Sequence, residues 1–220
     1  MPNTSDTDTE DIIRPMHCEL HALTRSDGSA LLTQGETAVM ASVYGPIEVR
    51  LQNLRIDKAH VEVYYRPKSG LPSVGDRLRE QMIRNTCETA LLSVLYPRTA
   101  ITIQLQEMED NEGLIACSVN AACLALISSG LSMKFLIGAV HCIVDANSDI
   151  ILDPNTRQSA EAVAHFTFVF DSVQKSTVAL HTSGKYTIGQ YNDALIRCKE
   201  ACHLVFQFYK EAVKKFAKIL

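Results

Sequence analysis

An α+β domain, with mixed sheets, packed helices and a long C-terminal helix, is predicted by the order in which two hydrophobic periods follow one another along these 220 residues. Apolar residues alternate with polar ones, the period of a half-buried strand, in the N-terminal third and again near residues 99–107, with further short apolar runs at 135–152 and 165–181. Apolar residues recur every three or four positions, the period of a helix, at 75–95 and 188–220, and a nearly all-apolar stretch fills 115–129. Strands, helix, strand, helix, strands and helix is an order that builds antiparallel hairpins with helices laid on them, rather than a doubly wound sheet.

The first strand is expected from Cys18 to Leu23, with a Ser26-Asp27-Gly28-Ser29 turn whose Asp-Gly pair favours a hairpin, and strands from Ala30 to Thr33 and Ala38 to Tyr44 follow. Gly45-Pro46 is expected to break the third run. Val61, Val63 and Tyr65 alternate against Glu62 and Tyr64 in a fourth strand. Leu78, Met82, Ile83, Thr86, Ala90 and Val94 form a helical stripe between Gly75 and Leu95 that Pro97 closes. Ile101, Ile103 and Leu105 then face one way and Thr102, Gln104 and Gln106 the other. After the acidic run Glu107 to Glu112 and Gly113, the small apolar residues from Ile115 to Ser129 predict a deeply buried helix. Phe135 to Val144 and Asp149 to Leu152 pair around Asp145-Ala146-Asn147-Ser148, and strands are expected at His165 to Phe170 and Ser176 to His181. A single helix from Ile188 to Leu220 carries Ile188, Tyr191, Leu195, Cys198, Cys202, Val205, Tyr209, Ala212, Phe216 and Ile219 on one stripe. That stripe suits a coiled-coil seam or a sheet-packed helix, of which the second is preferred.

With 46% hydrophobic and 21% charged residues the chain has the composition of a globular domain, and its length suits one core: an acidic flexible tail at 1–12 and a domain at 13–220. A net charge of −4 exerts no general pull on a phosphate backbone, so nucleic-acid binding would rest on a local patch or on partner subunits. The seven cysteines are an odd number among apolar neighbours, which predicts reduced thiols in a reducing compartment. The opening MPNTSDTDTEDI has neither a basic start nor an apolar stretch, so no targeting peptide is expected, and no apolar run reaches the roughly 18 to 20 residues of a membrane span.

Asp145, Asp149 and Asp153 stand four apart around the expected hairpin. Such carboxylates can hold a divalent metal or exchange protons, yet Asp145 and Asp149 also have the chemistry of turn residues. Cys198, Cys202 and His203 lack a second ligand pair at zinc spacing and read as core thiols. His17, His21, His60, His141, His165 and His181 offer bases, but nothing in the sequence pairs one with a thiol. No phosphate-cradling glycine loop occurs, so no nucleotide cofactor is expected. Arg66, Lys68, Arg77, Arg79 and Arg84 are a candidate cluster for contacting a nucleic-acid phosphate backbone, with a solvated helix face as the competing reading. Lys210, Lys214, Lys215 and Lys218 complement the negative end of the last helix.

Taken together, MHCELHALTRSDGSALLTQGETAVMASVYGP, REQMIRNTCETALL and ILDPN resemble the RNase PH superfamily over nearly the whole chain, through D-G-S, T-Q-G-x-T and the strand ending in G-P. IRNTCE, ILDPN and FQFYKEAVKK are most similar to the small RNase PH-like ring subunits of the eukaryotic RNA exosome, the exosome component 5 class. The resemblance implies a single RNase PH-like domain of the ribosomal protein S5 domain 2-like fold. It also implies six such subunits in a ring that threads RNA, with other RNase PH-like subunits, RNA-binding cap subunits and RNA as partners, in the nucleus and nucleolus and also the cytoplasm.

Phosphorolytic members of that superfamily hold phosphate with cationic groups beside a carboxylic general acid. Their Thr-Arg phosphate pair falls on Leu114 and Ile115, arginines of the first helix on Asn85 and Glu88, and the two catalytic aspartates on Asp153 and Ser159, with Glu161 the nearest carboxylate. Asp153 is therefore expected as a remnant, with no catalytic residue, no resident metal and no cofactor. The alternative is a metal-dependent hydrolytic nuclease acting on RNA or DNA as a homodimer, in which Asp153 with Asp149, Glu161 or another chain's carboxylate binds magnesium or manganese.

Overall fold

The computed structural model describes residues 13–217, so the expected tail at 1–12 and the helix end with Lys218 and Ile219 lie outside the described residues. Among these residues nine strands make two sheets, with four α-helices packed on or beside them. The first has the order β1 (Met16–Leu20), β2 (Gly28–Gln34), β3 (Thr37–Glu48), β5 (Thr99–Glu109), β4 (His60–Arg66), antiparallel except for the β4–β5 pair. The second has the order β7 (Ile150–Leu152), β6 (Ile137–Val144), β8 (Ala164–Asp171), β9 (Thr177–Gly184), antiparallel throughout.

Helix α1 (Val74–Ala90) packs on β4, α2 (Leu114–Ser129) lies between β2 and β3 of one sheet and β6 of the other, and α4 (Ile188–Ala217) covers β6, β7 and β8. The burial of α2 explains its composition: alanines, cysteines and leucines fill the space between two sheets, and a Cβ on Gly28 of β2 would stand 2.4 Å from the Ser129 amide nitrogen. Its one buried amide side chain is satisfied, since Asn120 donates to the Ala139 carbonyl and accepts from the Ala139 N–H and the Tyr209 hydroxyl of α4. The α4 stripe is sheet packing, with Ala194, Cys198, Ala201, Cys202, Val205, Tyr209 and Ala212 buried. All seven cysteines are free, and Cys18 alone among them is not fully buried. No helix among the described residues is long and apolar enough to cross a membrane.

Four local expectations need correction. β1 runs Met16–Leu20 rather than to Leu23, and Asp27-Gly28 is not a tight hairpin turn: the Asp27 carboxylate accepts from Gly45 N–H at 2.8 Å and holds a wide loop against β3. The two-residue turn is Gly35-Glu36, between paired Gln34 and Thr37. Gly45-Pro46 does not end β3, because β2 pairs only as far as Val43; the strand there has a free edge that tolerates proline, and its register against β5 shifts between Tyr44 and Ile47. α1 stops at Ala90, where the Ala90 carbonyl accepts from Lys134 N–H and Leu92 N–H donates to Ser132, so the chain turns away before Pro97. A further short helix, α3 (Thr156–Ala160), is started by a capping box of Asn155 and Gln158.

Candidate functional site

Asp153 follows β7 and sits at the meeting point of both sheets and the N-terminus of α2. Its backbone is left-handed (φ 46°) and its N–H donates to the His141 carbonyl. Its carboxylate accepts three hydrogen bonds, from Arg14 N–H at 3.0 Å, Arg14 Nη2 at 2.7 Å and Gln34 Nε2 at 2.9 Å. The ion pair is buried: the Asp153 side chain is 1% exposed and that of Arg14 13%. Arg14 reaches on to the carbonyls of Asn111 and Glu112, so the segment before β1, the turn before α2 and the end of β7 are fastened through one guanidinium. Gly113, with φ 71°, belongs to this knot, since a Cβ there would stand 3.2 Å from Arg14 Nη2 and 3.4 Å from Asp153 Oδ1.

The positions that the family resemblance matches to phosphate holders, 85, 88, 114 and 115, carry no cation. Leu114 is buried in the first turn of α2, and Ile115 lines a small surface cavity with Leu78, Arg79, Met82 and His181. Asn85 is exposed. Glu88 accepts from Arg55 at 3.1 Å and Lys58 at 3.0 Å, and although burial pushes its carboxyl up, these cations hold it below the usual range. Ser159 is buried in α3 and Glu161 is exposed just after it. Asp145 and Asp149 form the β6–β7 turn, where Asp145 N–H donates to the Asp149 carbonyl.

The basic cluster is partly neutralised. Arg77 bonds Glu80 at 3.0 Å, Arg79 bonds Asp76 at 2.9 Å, and Lys68 lies 3.6 Å from Glu109. Arg66, exposed at the end of β4, and Arg84, half-buried on α1, make no ion pair among the described residues.

A further cluster lies beside Asp153, built on two of the histidines that the sequence offers as bases with no partner assigned. His141 on β6 and His165 on β8 project from the same face of the second sheet, their rings stacked at 6.0 Å, and Glu112 approaches from the turn before α2. One ligand atom from each of the three lies within 4.8 Å of the others. His141 Nδ1 is 3.0 Å from Thr167 Oγ1, and its buried Nε2 has no partner among the described residues. Burial, with His165 adding to it, holds the His141 imidazole down at about 4.

Residues 12–132 match the RNase PH description, "3′ exoribonuclease family, domain 1". The chain is 33% identical over 173 residues to an Arabidopsis thaliana protein named exosome complex exonuclease RRP46 homolog, covering 79% of this chain and 72% of that one. The crystal structure of Rrp46 from rice (Oryza sativa) superposes with a TM-score of 0.90 at 27% identity, over 94% of this chain and 97% of the other. An Archaeoglobus fulgidus exosome structure with RNA bound to the active site shares the fold, with a TM-score of 0.79 at 16% identity over 90% of this chain and 89% of that one. By the matched domain and by these relatives, the chain belongs to the RNase PH family, the 3′ exoribonuclease family.

Proposed function

We propose that this chain is a ring subunit of the RNA exosome, of the RRP46 type and the exosome component 5 class, that contributes to assembly and to guiding RNA for 3′-to-5′ processing and degradation without performing phosphorolysis itself. The observation that carries the non-catalytic part is the state of Asp153: a general acid must reach the reacting oxygen, and this carboxylate is 1% exposed and engaged by Arg14 and Gln34. With Leu114 and Ile115 where phosphate would be gripped and Glu88 already paired, no described side chain at those positions stabilises a phosphate nucleophile. Loss of one such electrostatic anchor lowers rates by on the order of a hundredfold or more, and here several are missing. The names of the relatives support the assembly part.

In this reading the partners are other RNase PH-like subunits of a six-membered ring, RNA-binding cap subunits and RNA, in the nucleus, nucleolus and cytoplasm, and no cofactor takes part. Arg66 and Arg84, lacking carboxylate partners, are the members of the basic cluster best able to contact RNA phosphates, while Lys68, Arg77 and Arg79 contribute less. A magnesium- or manganese-dependent nuclease built on Asp153, as a homodimer, would first have to break the Arg14 pair, which counts against it. Affinity purification of the tagged chain should recover RNase PH-like subunits together with RNA-binding ones. The purified chain, given 3′-labelled RNA and phosphate, should release no nucleoside diphosphate. A monomer without such partners sinks the assembly reading, and phosphate-dependent diphosphate release sinks the non-catalytic one.

A further inference from the structure

We infer that Glu112, His141 and His165 form a binding site for a divalent first-row transition metal of zinc-like chemistry, one that fastens the turn before α2 to the face of the second sheet. Two imidazoles and one carboxylate are a ligand set that such an ion takes with three protein groups and a water in the fourth position. Magnesium and calcium, which prefer all-oxygen shells, fit it poorly.

Two observations independent of the grouping point the same way. The first is the unpartnered nitrogen. His141 is 7% exposed, and its Nε2 lies in the interior with no hydrogen-bond partner among the described residues, a state that buried polar atoms seldom keep. The second is the support behind the ring. In the tautomer whose Nδ1–H donates to Thr167 Oγ1, Nε2 presents its lone pair, and a hydrogen bond from the far ring nitrogen is what orients metal-bound histidines. Thr167 is the direct cross-strand partner of His141, so the β6–β8 register sets ligand and support together.

The remaining ligands are free to move into place. No side-chain hydrogen bond or ion pair holds the Glu112 carboxylate or the His165 ring among the described residues, and both residues are half-buried at the rim. Ligand atoms about a tetrahedral zinc stand roughly 3.3 Å apart, given bonds near 2.0–2.1 Å. Closing from separations of up to 4.8 Å is within the reach of Glu112 and His165 side-chain rotations. The charges facing the site favour a cation, because the Arg14 guanidinium is matched by Asp153 and Glu112 adds a further negative charge. Its ligands are thus distinct from Asp153, although the two lie side by side through Gly113, whose Cβ would stand 3.4 Å from Asp153 Oδ1 and 3.7 Å from His141 Cβ.

The test uses the full chain, stripped with a chelator and titrated with zinc chloride or cobalt chloride. Uptake of one ion per chain is expected, with cobalt giving the visible d–d bands of a four-coordinate nitrogen and oxygen site. His165→Ala and Glu112→Gln, both at half-buried positions that should leave folding intact, should each weaken zinc binding by about tenfold or more, a loss in the range seen when support around a metal is removed. His141→Ala is the weaker test, because it also opens the core. Absence of uptake would overturn the proposal. So would cobalt spectra dominated by thiolate charge transfer, which would place the ion on the buried cysteines, or zinc affinity unchanged in both His165→Ala and Glu112→Gln.

Discussion

Replacing Asp153 by asparagine isolates the energetic role of this carboxylate, because asparagine fits the same volume and also tolerates the left-handed backbone at φ 46°. What changes is charge and acceptor capacity. The carboxylate accepts from Arg14 N–H, Arg14 Nη2 and Gln34 Nε2, whereas an asparagine oxygen cannot face all three, and its NH2 meets donors where an acceptor stood. Arg14, with a side chain 13% exposed, keeps a charge without its counter-ion. Removing one member of a buried pair costs about 3–5 kcal/mol. The lower end applies here, since Gln34 can turn its amide and offer Oε1, which now has no partner, to the new NH2. The expected loss is therefore about 3 kcal/mol, or roughly 6–12 °C in Tm for a chain of this size. Urea unfolding of the purified chain measures it. Arg14→Met combined with Asp153→Asn should recover at least half, because neither buried charge is then left alone. A loss under about 1 kcal/mol for Asp153→Asn, the value of a solvent-screened pair, would refute the picture of a desolvated knot.

Gly28→Ala places a Cβ 2.4 Å from the Ser129 amide nitrogen and should destabilise by about 1–3 kcal/mol in the same unfolding assay, with α2 forced off β2. Tyr209→Phe removes the hydroxyl shared by Asn120 Oδ1 and the Ile137 carbonyl and should cost about 1–2 kcal/mol, while Asn120→Ala, which also strands the Ala139 amide and carbonyl, should cost more. His141 gives a pH dependence in the chelator-treated chain. Its folded pKa of about 4 lies below the ordinary 6.5, so between those values the unfolded chain binds the extra proton, and stability falls as pH is lowered from 6.5 toward 4. The full effect is about 3 kcal/mol, and a His141→Gln variant should lose that slope in urea titrations run at stepped pH.

Long elements with a clear period were legible in the sequence. The stripe from Tyr191 onward and the alternation through Ile101, Ile103 and Leu105 each repeat often enough to fix both type and buried face, although Ile188 at the head of the expected stripe is 81% exposed. α3 has only five residues, too few for any period, and the stop of α1 at Ala90 depends on Ser132 and Lys134, which are far along the chain. The site was legible as a list of positions but not as a set of contacts. Asp153 stood out between an apolar strand and a proline, but its partner Arg14 is 139 residues away and its partner Gln34 119. Likewise His141 and His165 were visible as histidines on two expected strands. Only the register that sets His141 opposite Thr167 puts both rings on one face.

On the proposed non-catalytic reading, the Arg14 pair accounts for an aspartate at the position where the family's chemistry would place a general acid. In an active site a carboxylate that must exchange a proton needs access and a pKa poised by its surroundings, so it cannot also be the buried anchor of a guanidinium. Here the anchor role is filled: Arg14 joins the carboxylate to the carbonyls of Asn111 and Glu112 and so fixes the turn from which α2 starts. Because a turn of the fold hangs on that pair, losing the aspartate leaves a buried cation and destabilises the domain, whereas apolar residues at 114 and 115 put Leu114 in the core and Ile115 at its edge, with no charge to compensate. On that reading, Asp153 beside apolar residues at 114 and 115 is what stability alone would select.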